Sequence, residues 1–197
     1  MKKQLLCGVV AGALTIINLA VLPGAHAADG TPSLDLTVEA NLTTGTCSAT
    51  VMDGETETNT ILLGNDIALS EVLAKSRVKP FKVRFKDCAG LPESTASLRL
   101  ARRSGSCAGS NGPAFRNQGG TSAGIGLEVW TTAEPEGTDS VQLVCNSPNT
   151  VTVDVSTAKG ATNKDYDLSA RLVDVTGANA ATAGSFTSPT VLTISYK

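Results

Sequence analysis

The stretch Pro80-Phe81-Lys82-Val83-Arg84-Phe85-Lys86-Asp87-Cys88 decides the fold class. Phe81, Val83 and Phe85 alternate with Lys82, Arg84 and Lys86. Successive side chains of a β-strand point to opposite faces, so a period of two collects the apolar groups on one face and the cations on the other. That pattern predicts a half-buried strand of an antiparallel sheet, with one face on a core and one in water.

The same reading extends in both directions along the chain. Downstream, residues 97–102 read as a short strand, and residues 124–131 carry Ile125, Leu127 and Val129 in alternation. Residues 141–144 and 151–155 are short apolar runs of strand type. Leu168, Ala170 and Leu172 alternate again, and Leu192, Ile194 and Tyr196 close the chain. Upstream, residues 60–63 form a short strand ending at Gly64, and Leu34, Leu36, Val38, Ala40 and Leu42 alternate with polar residues. Residues 66–75 are the one helix-like stretch, with Asp66 as a candidate cap. Residues 104–120 are rich in Gly, Ser and Asn and read as a loop. Seven or more short strands with turn signals between them predict an all-β, immunoglobulin-like sandwich. No internal repeat and no linker divides it.

Composition narrows the function classes. Of 197 residues, 41% are apolar and 17% charged, too apolar for a disordered chain and too lightly charged for a coiled coil. With a net charge of −2 and 4% aromatic residues, the chain has neither the basic surface nor the stacking platforms of a nucleic-acid binder. Its one histidine is His26.

His26 lies in a segment that reads as removable. Lys2 and Lys3 precede an apolar run from Leu5 to Leu22, Pro23 and Gly24 break it, and Ala25-His26-Ala27 ends in small residues at the two cleavage-site positions. These are the three parts of a secretory signal peptide, residues 1–27. A retained membrane anchor is the alternative, since the run is about long enough to span a bilayer. Losing Lys2 and Lys3 from 16 basic residues leaves 14 against 18 acidic ones, a mature charge of about −4. A mature chain without histidine cannot build a Ser-His-Asp triad, a Cys-His pair or a His-ligated metal site, so neither an enzyme nor a cofactor is expected.

Cysteine usage agrees with export. Cys7 leaves with the leader, and Cys47, Cys88, Cys107 and Cys145 remain. An even number in an exported chain reads as two disulfides with three possible connectivities. We favour Cys47–Cys88 with Cys107–Cys145. No C-x-x-C pair supports a zinc site instead.

The two ends of the mature chain share a property. The alternating run 34–42 follows a free polar segment, and the last apolar strand ends one residue before the terminus. Both ends are therefore placed to pair with other chains by β-strand addition. The bland reading of residues 34–42 is an internal strand of the chain's own sandwich. Trp130 reads as a packing residue on a strand face, and Arg102-Arg103 as a solvated strand end.

In this setting the chain resembles the pilin subunits of chaperone–usher fimbriae. The resemblance runs from Gly45-Thr46-Cys47-Ser48-Ala49 through Leu63-Gly64 and the Pro80–Cys88 strand. It continues through Gly124-Ile125-Gly126-Leu127-Glu128-Val129, Ser169-Ala170-Arg171-Leu172 and Ala183-Gly184 to Leu192-Thr193-Ile194-Ser195-Tyr196-Lys197, with its penultimate tyrosine. The resemblance implies a sandwich lacking its last strand, filled first by a periplasmic chaperone and then by the N-terminal extension of the next subunit. It implies a donor extension in residues 28–42 with Leu34, Leu36, Val38 and Ala40 facing inward. It implies a pilin domain over residues 43–197, with Leu192, Ile194 and Tyr196 along the acceptor groove. Partners implied are the chaperone, an outer-membrane usher and neighbouring subunits at the cell surface, with a role in adhesion. A minor, adaptor or receptor-binding subunit and a self-contained secreted binding module are the alternatives. Leu172 stands where the family commonly has tyrosine, and Cys107 and Cys145 are additional to the single disulfide of most major pilins.

Overall fold

The computed structural model describes residues 45–197. The expectations for the leader, residues 1–27, and for the extension, residues 28–42 with Leu34, Leu36, Val38 and Ala40, lie outside them.

The alternating stretch forms β3 (Val78–Ala89). Val83 and Phe85 are fully buried and Phe81 half-buried, while Lys82 and Arg84 face outward against Asp165. β3 lies between β1 (Thr46–Asp53) and β8 (Lys164–Asp174), antiparallel to both. Beyond β8 come β6 (Ile125–Trp130) and the two-residue β5 (Phe115–Arg116). The two-residue β2 (Thr56–Glu57) pairs with the end of β1. These six strands make the larger sheet, in the order β2-β1-β3-β8-β6-β5.

The smaller sheet has β4 (Thr95–Arg102) at its centre, flanked by β7 (Thr150–Asp154) and β9 (Thr190–Tyr196). Ala96, Leu98 and Leu100 of β4 are buried and share a face with Val153 and Val151 of β7. Val83, Phe85, Leu168, Ala170 and Val129 of the larger sheet meet Ala96, Leu98 and Val153 in one core. Apolar faces of two sheets thus close on each other, which is what the period-two patterning requires.

Two disulfides staple the sandwich. Cys47–Cys88 joins β1 to β3, and Cys107–Cys145 ties the excursion after β4 to the segment before β7. At Cys47 the β1–β3 register shifts, and Asp87 opposite it adopts φ 55°, a left-handed conformation that Asp tolerates better than most residues.

The helix-like stretch contains one short helix, α1 (Leu69–Leu73). Its cap is Ala68 rather than Asp66. Ala68 has no side-chain acceptor, and the Glu71 carboxylate takes its N–H at 2.8 Å instead. Val72 packs with Ile125 and Ala181.

Three local expectations are corrected. Residues 60–63 carry no strand; Leu63 turns inward while Leu62 stays 72% exposed. Residues 141–144 make one isolated bridge, Gln142 to Trp130, rather than a strand. The 104–120 loop contains β5 and a left-handed turn, Ala108–Asn111, with Gly109 and Ser110 both at positive φ. One further loop pairing positions the terminal strand. Asn117 holds Ser122 and Ser185 through its amide nitrogen and Gly120 and Thr187 through its oxygen, which ties residues 117–122 to the approach of β9. A Cβ on Gly120 would lie 1.9 Å from the Ser185 carbonyl oxygen, so glycine is required for this close approach.

Candidate functional site

Leu192, Ile194 and Tyr196 lie opposite Leu100, Leu98 and Ala96 of β4, on the same face. The β4 residues are buried, whereas the three β9 residues are only half-buried although they pack on the same core. Burial raises the Tyr196 phenol pKa above its usual value. Thr193 and Ser195, between them, face water, and Val191 is 41% exposed.

The backbone explains why the inner face stays half-covered. Lys197 N–H donates to Thr95 O at 2.9 Å and Thr95 N–H donates to Lys197 O at 3.3 Å. In an antiparallel ladder such hydrogen-bonded pairs alternate with non-bonded ones. Counting back from Lys197, Leu192, Ile194 and Tyr196 occupy the non-bonded positions opposite β4. Their N–H and C=O groups therefore point to the other edge, where no strand pairs among the described residues. β1 presents a comparable edge. Ala49 and Val51 face inward opposite Phe85 and Val83 and are half-buried; β2 covers Met52 and Asp53, Thr58 N–H donates to Val51 O at 2.9 Å, and the edge beyond, at Ala49, has no paired strand among the described residues. Each strand thus offers unpaired backbone groups beside incompletely buried apolar side chains, the two features on which strand addition depends.

The contribution of β1 was absent from the sequence reading. Its alternation is weak, because Met52 on the outward side is itself buried and the inward residues are a small Ala49 and Val51. Arg102 and Arg103 are exposed at the end of β4, and Arg102 has a further role. Its guanidinium donates to Gly105 O at 2.7 Å, to Cys145 O at 3.3 Å and to Cys107 Sγ at 3.4 Å, anchoring the stapled excursion.

On the outer face of the larger sheet, β6 and β8 bring Glu128 opposite Arg171. Arg171 is 5% and Glu128 8% exposed. Arg171 Nε donates to Glu128 Oε2 at 2.8 Å, the Trp130 indole N–H donates to the same oxygen at 3.2 Å, and Arg171 lies 5.5 Å from the Trp130 ring centre. Glu136 also receives the Arg171 guanidinium, and this hydrogen bond holds its carboxyl pKa below the usual carboxylate range. Trp130 therefore packs on its strand face and also orients a buried ion pair.

Asp53 and Glu55, acidic residues near the first turn, are engaged by cations. Lys79 pairs with Asp53 at 2.6 Å, and Lys82 and Arg84 pair with Glu55 at 2.7 and 2.9 Å. No group of acidic, Cys and His side chains with metal-site geometry occurs among the described residues. No helix among them is long and apolar enough to cross a membrane.

No protein-family model matches the chain. It superposes on the crystal structure of the P pilus rod subunit PapA with a TM-score of 0.51 and 14% identity, covering 77% of this chain and 99% of PapA. That likeness bears on the fold alone. In sequence the chain is 37% identical over 174 residues to the uncharacterized fimbrial-like protein YadL of Escherichia coli strain K12, covering 84% of this chain and 85% of YadL. With that identity over most of both chains, on a two-sheet antiparallel sandwich, the chain belongs to the chaperone–usher fimbrial (pilin) subunit family.

Proposed function

We propose that this protein is a structural subunit of a surface fimbria, polymerised by donor-strand exchange and contributing to cell adhesion. The observation that carries the reading is β9: its inward side chains are half-buried and its outer backbone edge is unpaired among the described residues. A strand added along Leu192, Ile194 and Tyr196 would satisfy that edge and cover those side chains. The half-buried Ala49 and Val51 of β1 offer a second edge to the same strand.

The donor is residues 28–42 of the next subunit. Leu34, Leu36, Val38 and Ala40 alternate as one pleat face requires. Each large side chain among them that becomes buried contributes about 1.5–3 kcal/mol as an upper estimate. Before polymerisation a periplasmic chaperone supplies the strand, and an outer-membrane usher receives the complex. Residues 1–27 direct export and are removed. The work of the protein is strand pairing, not catalysis.

A variant lacking residues 28–36, refolded with its disulfides oxidised, tests this. Its melting temperature is recorded with and without a synthetic peptide spanning residues 28–42. Burial of several apolar side chains predicts a peptide-dependent rise on the order of 10 °C. No rise in a variant that is already stable means a complete sandwich and overturns the reading. No rise in an unstable variant assigns the donor to a different subunit.

A further inference from the structure

The two sheets end differently. The larger sheet ends in the two-residue strands β2 and β5, which leave little backbone for another chain to pair with. The smaller sheet ends on one side in β9 and on the other in β7, Thr150-Val151-Thr152-Val153-Asp154, a full five-residue strand. β7 contains no Lys, Arg, Pro or Gly, and its register with β4 runs without a bulge. Four of its residues are β-branched, the type that suits strand pairing. Apart from Asp154, β7 therefore lacks the devices by which sheets protect an edge from other chains.

The ladder sets which backbone groups this edge presents. Val155 N–H donates to Ser94 O at 2.9 Å, and bonded pairs alternate with non-bonded ones, so Val153 and Val151 bond to Ala96 and Leu98 of β4. Thr150, Thr152 and Asp154 hold the alternate positions. Their N–H and C=O groups point away from β4, where no strand pairs among the described residues, and all three residues are exposed. Set antiparallel to itself about a two-fold axis at Thr152, this edge is self-complementary. Thr152 meets Thr152 of the second copy, and Thr150 meets its Asp154, so each outward donor finds an acceptor, about six backbone hydrogen bonds in all. Val151, which is half-buried on the inner face, is then covered by Val153 of the second copy.

Charge favours the same register. Asp154 opposes a threonine rather than another carboxylate. Arg99, beside Thr150 on the outer face, donates to Pro148 O at 3.4 Å and makes no salt bridge among the described residues. Asp154 accepts the Ser156 N–H at 2.8 Å and has Lys164 only at longer range. Pairing sets Asp154 of the second copy across Thr150 from Arg99, about 10 Å away over two strand spacings, which an arginine side chain can bridge. We propose that β7 docks against β7 of a second copy of this chain, joining the two smaller sheets edge to edge. The contact is separate from strand exchange, because β9 lies on the opposite side of β4. A five-residue edge buries less than a standard interface, so one contact is weak and gains strength by repetition between fibres lying side by side.

The test is sedimentation velocity of the mature chain over a concentration series, with the peptide spanning residues 28–42 in excess to occupy β9. A monomer–dimer equilibrium with a Kd on the order of 0.1–1 mM is expected. Thr152→Pro removes an N–H that points to the open edge rather than to β4, so it costs no ladder bond and should raise the Kd about tenfold or more. Thr152→Lys sets like charges opposite each other at the two-fold axis and should do the same. Mixing the Thr152→Lys and Thr152→Glu chains should restore dimers, because this register alone opposes position 152 to itself. No association at about 1 mM overturns the proposal. So does association unchanged in whichever blocking variant folds, or a mixture of the two charged variants that stays monomeric. Polymerisation through β9 would not respond to Thr152, so the outcome stands whether or not residues 28–42 are the donor.

Discussion

Removing the Cys107–Cys145 disulfide by a double change to alanine should cost about 4 kcal/mol or more, a large share of the roughly 5–15 kcal/mol by which a domain is stable. The bond closes a loop with a sequence separation of 38 residues. In the chain-entropy treatment a loop of that length restricts the unfolded chain by about 4 kcal/mol at 25 °C. Cys107 and Cys145 are 4% and 0% exposed, so losing both sulfurs also leaves unfilled space and adds to the loss. Cys47–Cys88 has a separation of 41 residues, and the same treatment predicts about 4 kcal/mol for it too. The two bonds differ sharply in the folded state. Cys47–Cys88 joins strands that a backbone ladder already pairs, whereas Cys107–Cys145 anchors an excursion held mainly by Arg102 and a few loop hydrogen bonds. Urea unfolding of the oxidised parent and of each double alanine variant separates the two accounts. Equal losses, with slopes that rise as the unfolded chain expands, support restriction of the unfolded chain. A loss at Cys107–Cys145 below about 1 kcal/mol would refute the reasoning, because the excursion would then open independently of the sandwich.

Three further outcomes follow from the packing and the charges. Leu98→Ala, at the fully buried centre of β4 between Val151 and Ile194, should cost about 3–5 kcal/mol in urea unfolding. Asp165 accepts two hydrogen bonds from Arg84, at 2.7 and 2.8 Å, and these hold its pKa down to about 2, from 3.8. Its stabilising contribution is therefore complete above pH 3.8 and lost as pH falls towards 2, so Asp165→Asn should flatten the urea midpoint against pH across that window. Arg171→Met leaves Glu128 buried without its cation and should cost about 3–5 kcal/mol, while adding Glu128→Leu should restore part of the loss; a double variant less stable than the single one would mean that the pair contributes net stability.

The sequence made some of this architecture legible and hid the rest for identifiable reasons. β3, β4, β6, β7, β8 and β9 were readable because each turns alternate apolar side chains to the inner face of its sheet, so a period of two survives in the residues. β1 was not, because its neighbouring edge is open and its inward positions need only Ala49 and Val51. Residues 141–144 are as apolar as a strand, yet they form one bridge, Gln142 to Trp130, and Val141 is exposed. At Arg102 the reading as an exposed strand end holds, but its bonds to Cys107 Sγ and Cys145 O depend on a loop that only the folded chain brings near.

The functional surfaces divide along the same line. Alternation identifies Leu192, Ile194 and Tyr196 as one face of β9, since that depends on local sequence alone. Whether the edge beside them is open depends on sheet order, which arises from pairings between distant strands: β9 meets β4 some ninety residues earlier in the chain. The Glu128–Arg171 pair is hidden for the same reason. Its members are 43 residues apart, and only the β6–β8 register sets them opposite each other. A shift of one residue would turn Glu128 into the core and Val129 to the outer face. The cost of burying that carboxylate without Arg171 would disfavour the shifted register, so the ion pair helps to specify the alignment that places Val129 and Ala170 in the inner core.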